Sequence, residues 1–245
     1  MDNRPSCGQR LARLARRPHA GPMLAGTIVL LHSPLTTSAA WGDFPARLHE
    51  RGFAVSVPEI SGDDQPPYAS RYVACAALEI AAIRAPDPMV LVAHSGAGPL
   101  LPQVAAAQRA ARRQVSGYVF IDASLPRPGV SNRLELLETE MPEAAAELRA
   151  LLESGGNWAP EPPVAGLRGH MRPRDAGFFT ESLPITHDWP DAPCGYLRTS
   201  SAYDGVARIA RLRDWPIADL DADHFAPSQR PAEVAGAFVD LLDRM

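Results

Sequence analysis

The segment from Met89 to Gly98 constrains the fold of this chain more than any other. A valine-rich apolar run gives way to small residues around Ser95, and a long segment rich in alanine and leucine follows. This order is typical of a buried strand, a very tight turn and a helix, with the serine standing clear of the backbone. Such a turn leaves almost no room for side chains two residues either side of the serine, and Ala93 and Ala97 stand where the strict G-x-S-x-G form has glycines. The alternative is an ordinary strand-to-helix turn that happens to contain a serine.

Apolar runs resembling buried strands alternate with helical periodicity along most of the chain. The short connections between them predict an α/β fold with a doubly wound, mostly parallel sheet. The predicted strands are residues 27–31, 54–58, 89–93, 117–121, 194–199 and 215–220. Because functional groups in such sheets collect at the carboxyl ends of strands, the candidates are the polar residues found there, namely Ser33, Ser95, Asp122, Asp204 and His224.

The alternation breaks at about residues 125–190, which contain an acidic helical run at 133–153 followed by glycines and prolines. A segment this long between strands is usually a lid that contacts substrate, and the alternative is a structural excursion that never touches a ligand. Its aromatic side chains favour an apolar ligand or pack against the sheet, and its arginines are candidates for meeting a carboxylate. These residues are Trp158, Phe178, Phe179 and Trp189, and Arg168, Arg172 and Arg174.

Composition narrows the class of protein. The chain has 245 residues, 46% of them hydrophobic, which suits one domain over residues 25–245. The net charge of −4 gives no electrostatic reason to expect nucleic acid as a partner. No run is long and apolar enough to predict a membrane span, and no cysteine and histidine spacing predicts a metal site.

The cysteines indicate the cellular compartment, and the arginines bear on how the N-terminus is interpreted. Cys7, Cys75 and Cys194 are odd in number and far apart, which indicates a reducing compartment, so we expect a cytoplasmic protein. Residues 1–24 read as a basic extension. The pair Arg16-Arg17 raises the alternative of an export signal, but the apolar run after it is short and has no cleavage-type site.

Three motifs in order resemble the α/β-hydrolase superfamily. The segment Thr27-Ile-Val-Leu-Leu-His-Ser33, followed by Trp41, resembles the family's first strand and His-Gly turn, with Ser33 in place of the glycine. The turn around Ser95 resembles its nucleophile elbow, and Ala222-Asp-His-Phe225 resembles the loop that carries its histidine. The resemblance covers residues 25–245 and implies an α/β-hydrolase fold with a lid or cap insertion.

A serine hydroxyl needs an adjacent base to become a nucleophile, and histidine has a pKa suited to that task. Ser95 is therefore the predicted nucleophile and His224 the predicted base, with a surface histidine as the alternative for His224. His94 points away from its neighbour in a tight turn and is read as structural. His32 is expected to brace the loop beneath the site.

The predicted acid, which orients His224, has two candidates that both satisfy the family's order of serine, acid and histidine. Asp204 follows the strand at 194–199, which is the position that the superfamily uses most often, and we expect it to be the acid. Asp122 ends the preceding strand and is the alternative, since some family members use that position instead.

The oxyanion loop departs from the family pattern. One backbone N–H would come from Gly96, but the residue that should supply the other is Pro34, which has none. Leu35 can substitute if the loop turns differently. Ser33, Pro34, Leu35 and Gly96 are thus the expected oxyanion and substrate-binding residues.

The sequence therefore predicts a serine hydrolase that cleaves an ester or thioester of a small apolar or natural-product-like molecule without a cofactor. The alternative is a lyase or cyclase of secondary metabolism that uses Ser95 and His224 as a base, as the resemblance to a family that includes hydroxynitrile lyases allows. A binding protein with a vestigial site is a third reading.

Overall fold

The computed structural model describes residues 26–83, 86–162, 165–185 and 188–245. The predicted basic extension at 1–24 lies outside these residues. The described strands are β1 (Thr27–Leu31), β2 (Val55–Ser56), β3 (Met89–Ser95), β4 (Val115–Ala123), β5 (Cys194–Arg198) and β6 (Ile217–Asp219). They form one parallel sheet in the order β2-β1-β3-β4-β5-β6, which confirms the predicted doubly wound α/β architecture.

The helices follow the strands in alternation. In chain order they are α1 (Phe44–His49), α2 (Tyr68–Ala82), α3 (Leu101–Ala110), α4 (Arg133–Glu140), α5 (Pro142–Glu153), α6 (Ala176–Thr180), α7 (Asp204–Leu212), α8 (Ala226–Gln229) and α9 (Pro231–Leu242). Buried side chains of α2, α3 and α7 pack with one face of the sheet, and those of α1 and α9 with the other. Because both faces are covered, the central strands are apolar throughout, as in Ile28, Val29 and Leu30.

The acidic run at 133–153 is two helices and not one. Asn132 caps α4 by accepting a hydrogen bond from the Glu135 N–H. Met141 breaks the run in a non-helical conformation, with φ −144° and ψ 70°. Pro142 then begins α5, because proline suits a first helical turn but cannot continue a preceding helix. The two helices pack against each other and, through Leu134 and Leu148, against α6 and the main body.

A register shift at the end of β4 sets the position of Asp122. His94 pairs with Ile121, but Ser95 pairs with Ala123, so Asp122 is left out of the ladder. Asp122 has φ 39°, a left-handed conformation that is uncommon for a residue with a side chain. The bulge turns its carboxylate toward the carboxyl end of β5.

Candidate active site

Ser95 ends the buried strand β3 with φ 57°, in the left-handed region. Ala93 and Ala97 on either side are buried, as the size argument from the sequence requires. Gly98 is needed for a close approach, since a Cβ there would overlap the Ser124 carbonyl oxygen at the end of β4. The strained turn therefore holds the serine at the edge of a cavity of about 260 Å³.

His224 reaches the same cavity from the loop after β6. Its ring lies between two others, with the His94 ring centroid 4.5 Å away and the Tyr203 ring centroid 5.0 Å away and nearly parallel. The His94 Nε2–H donates to the His224 carbonyl oxygen over 2.8 Å. Burial, together with the neighbouring His224, lowers the pKa of His94 to about 3, so that ring is neutral. The stack fixes the plane of His224 and leaves its edges for proton transfer.

Asp122 is the carboxylate that the structure brings to His224. Its Oδ2 lies 3.5 Å from His224 Nδ1, which is longer than a well-formed hydrogen bond. The buried carboxylate accepts hydrogen bonds from the Thr199 N–H, the Thr199 hydroxyl and the Ser200 hydroxyl, over 2.6 to 2.8 Å. Burial would raise the pKa of Asp122, but interactions with the neighbouring His224 ring and hydrogen bonds from Ser200 and Thr199 outweigh burial and hold that pKa below its ordinary value.

The structure does not bring Asp204, the acid expected from the sequence, to His224. Asp204 begins α7, its side chain is 65% exposed, and it pairs with Arg198 over 3.4 Å. The reason is the turn at 201–203, which places the Tyr203 ring against His224 and carries Asp204 past it to the surface. The alternative candidate, Asp122, occupies the place beside the ring.

The oxyanion loop has a geometry that the sequence left open. The Leu35 N–H, the possible substitute for the donor missing at Pro34, donates to the Ser33 hydroxyl oxygen over 3.2 Å. That oxygen lies 3.2 Å from where a Cβ of Gly96 would stand, so the loop packs closely on the elbow. Leu35 and Gly96 line the cavity beside Ser95, while Ser33 is fully buried.

His32 supports this loop from beneath. The ring is fully buried, with Nδ1 bonded to the Ser33 carbonyl oxygen and Nε2 accepting from the Ile60 N–H. Burial lowers its pKa, which agrees with a neutral, bracing histidine.

The 125–190 segment contributes much of the cavity wall. Trp158, Phe178 and Phe179 line the cavity as expected, whereas Trp189 packs against Phe120 and Trp215. Apolar side chains from α4 and α5 complete the wall, among them Leu137, Met141 and Leu148. The wall of the cavity is therefore largely apolar.

The arginines singled out in the sequence do not line this cavity. Arg172 and Arg174 both pair with the buried Asp63, at 2.6 and 3.0 Å, and Arg168 is exposed. Sequence reasoning missed Arg133, which does line the cavity, and Tyr203, which stacks on His224. The position of Arg133, first in an insertion helix beside a capping asparagine, was the available signal.

Nothing in the described ranges suggests an inorganic centre or a membrane span. There, no group of histidine, cysteine, aspartate and glutamate is arranged to hold a metal ion. No helix of these residues is long and apolar enough to cross a membrane.

Known proteins resemble this chain in sequence pattern and in fold. A model of the alpha/beta hydrolase family matches residues 28–237. An extracellular alpha/beta-hydrolase from a Paenibacillus species is 18% identical with a TM-score of 0.67, over 88% of this chain and 98% of that one. A pyrethroid hydrolase from Sphingobium faniae JZ-2 is 19% identical with a TM-score of 0.59, over 89% and 97% of the two chains.

A third similar structure is named as a synthase and not as a hydrolase. Tomato methylketone synthase I, in complex with 2-tridecanone, is 13% identical with a TM-score of 0.64, over 90% of this chain and 98% of that one. At these identities the likeness concerns the fold alone. No curated protein sequence matches this chain significantly.

Proposed function

The chain belongs to the alpha/beta hydrolase family, and on that premise we propose that it is a serine hydrolase acting on an ester or thioester of a small apolar or natural-product-like molecule. Ser95 is the nucleophile, His224 the base and Asp122 the acid that orients His224. The observation that carries the proposal is the meeting of a strained serine and a stacked histidine in one cavity, with a buried carboxylate behind the histidine.

The proposed reaction has two halves. Ser95 Oγ attacks the ester carbonyl carbon while its proton passes to His224 Nε2, and the alcohol or thiol then leaves with that proton. Water, deprotonated by His224, attacks the acyl-enzyme and releases the acid, so the serine regains its proton. As positive charge develops on His224, the 3.5 Å separation between Asp122 Oδ2 and Nδ1 shortens, and Asp122 then accepts the Nδ1–H and stabilises the imidazolium.

The developing oxyanion needs donors. We propose the Gly96 N–H as one of them. The second is the Leu35 N–H. When substrate binds, this N–H gives up its hydrogen bond to the Ser33 hydroxyl oxygen and donates to the oxyanion instead. A donor of this kind is worth about 3 kcal/mol in acyl transfer, so this exchange decides how fast simple esters react.

Turnover of short and medium 4-nitrophenyl esters and thioesters by wild type and Ser95→Ala tests the proposal. We expect hydrolysis by wild type and its loss in Ser95→Ala, with an acyl-enzyme mass increase on Ser95 in rapidly quenched samples. Hydrolysis that persists in a folded Ser95→Ala variant refutes the assignment of the nucleophile.

The oxyanion loop favours one other candidate function. Pro34 has no N–H and the Leu35 N–H is engaged, which suits a lyase or cyclase that uses Ser95 and His224 as a base and forms no tetrahedral oxyanion. Replacing Pro34 with alanine discriminates the two. The added N–H should accelerate ester hydrolysis if oxyanion binding limits it, and should leave a base-catalysed elimination unchanged.

We further propose that the substrate is a small molecule met in the cytoplasm. Cys75 and Cys194 are free thiols, and free thiols are usual in a reducing compartment.

A further inference from the structure

Arg133 is the one residue with a permanent charge among the described residues that line the catalytic cavity. Its neighbours in the wall are mostly apolar or aromatic, for example Leu137, Leu148 and Trp158. A charge in such surroundings is unfavourable unless it is paired and hydrogen-bonded. The arginine therefore calls for a counter-charge.

The guanidinium of Arg133 is only partly satisfied by the protein. The residue is 6% exposed, and its Nη1 donates to the Phe178 carbonyl oxygen over 3.1 Å. Its Cζ lies 4.0 Å from the centroid of the Phe178 ring. Its Nε and Nη2 are buried and have no hydrogen-bond partner among the described residues. Burial lowers the pKa of Arg133 to about 10, which leaves it charged at neutral pH.

The nearby carboxylates leave the Nε and Nη2 donors of Arg133 without an acceptor. Glu181 forms a loose ion pair with Arg133, with 3.8 Å between Oε2 and Nη1, which is beyond hydrogen-bond distance. Its carboxylate instead accepts hydrogen bonds from the Tyr68 and Ala69 N–H groups at the start of α2. Asp63 is shared by Arg172 and Arg174. Arg133 thus keeps donors of the kind that bind a carboxylate in the forked geometry of a guanidinium.

From this arrangement we infer that the substrate carries a carboxylate at one end of an apolar body, and that Arg133 binds it while the ester carbonyl lies at Ser95. The inference rests on the proposed ester hydrolysis and names its substrate class, an acid-bearing ester. The wall contributed by α4, α5 and α6 would cover the apolar part between the two ends.

Matched substrates test this without knowledge of the natural one. The first series pairs mono-4-nitrophenyl esters of straight-chain dicarboxylic acids with 4-nitrophenyl esters of monocarboxylic acids of the same length. The second pairs acetate esters of ω-hydroxy acids with those of simple alkanols, which places the carboxylate on the alcohol side. The quantity measured is kcat/KM for the acid-bearing ester divided by that for its neutral partner.

Arg133→Gln removes the charge, and Arg133→Lys keeps the charge but lacks the forked pair of N–H donors. Arg149→Gln serves as a control on the exposed face of α5. In at least one series we expect the ratio to fall by about 10- to 100-fold in Arg133→Gln, as for other hydrogen bonds between charged groups. Arg133→Lys should show a smaller fall, and Arg149→Gln none. A purely structural role, tying α4 to α6 through the Phe178 carbonyl, would lower both rates together.

An unchanged ratio in both series overturns the inference. If neither Arg133 variant folds, the wild-type ratio decides, and a preference for the neutral ester in both series overturns it as well. Failure of wild type to cleave any ester refutes the proposed hydrolysis and not the binding site. Calorimetric titration of the acid-bearing esters into Ser95→Ala, alone and combined with Arg133→Gln, tests the site by itself.

Discussion

Asp122 lies at the end of β4 and Asp204 follows β5, both before the histidine in the chain, yet only Asp122 lies beside the imidazole. The difference lies in one bulged residue and one short turn. The bulge at Asp122 directs its carboxylate along the sheet edge, where the Thr199 N–H and two hydroxyls hold it ionised. Asp204 lies past the turn at 201–203 and meets Arg198 and solvent.

Replacing each aspartate with asparagine separates their roles. Asp122→Asn should lower kcat by about 10⁴-fold, because the amide favours the wrong tautomer of His224. Asp204→Asn should stay within about twofold of wild type, since an exposed ion pair contributes little. Steady-state kinetics on a single ester measures both, and thermal unfolding checks that each variant is folded. A large loss in Asp204→Asn with a mild one in Asp122→Asn would contradict this assignment.

Much of the candidate site could be read from the sequence because its determinants are local. An apolar strand followed by small residues around Ser95 specifies the turn, and the loop after the last strand offers His224. The choice of acid could not be read in this way. It depends on a φ of 39° at Asp122 and on a register shift between strands, and neither leaves a mark in the residue types nearby.

At the scale of elements, the strands were predictable because burial on both faces makes them continuously apolar. The insertion at 125–190 was less predictable. Its acidic run reads as one helix until Pro142 divides it, and the contacts of α4 and α5 depend on packing between residues distant in sequence. Trp189 illustrates the limit, because an aromatic residue expected near the ligand instead packs against Phe120 and Trp215.

Helix α4 also carries a buried carboxyl group whose titration should affect stability. Glu140, its last residue, accepts the Leu125 N–H, and burial raises its pKa to about 7. The folded protein therefore retains a proton there that the unfolded chain releases at lower pH. The resulting stability is fully present below the unfolded pKa and is lost as pH rises toward the folded one.

Glu140→Gln should remove this dependence. Between about pH 4.5 and 7.5, wild type should lose on the order of 2 kcal/mol more of its free energy of unfolding than Glu140→Gln does. Urea denaturation across this range measures the difference. Glu143→Gln, on the exposed side of α5, is the control and should follow wild type. Parallel curves for wild type and Glu140→Gln would show that Glu140 is already ionised in the folded protein.

At the scale of the whole molecule, the fold limits the chemistry without choosing it. Structures similar to this chain include a pyrethroid hydrolase and a methylketone synthase, at 19% and 13% identity. Function on a shared scaffold is set by the residues at its site. For this chain we propose that these are Ser95, His224 and Asp122, the loop at Pro34 and the charge of Arg133.

Labelling by a fluorophosphonate tests whether Ser95 is an activated nucleophile, as we propose. Intact-mass spectrometry should show one adduct per chain in wild type, located on Ser95 by peptide mapping. The adduct should be absent in Ser95→Ala, form orders of magnitude more slowly in Asp122→Asn, and form at the wild-type rate in Asp204→Asn. A folded wild-type protein that takes no label, or that takes it on another residue, would show that Ser95 is not an activated nucleophile.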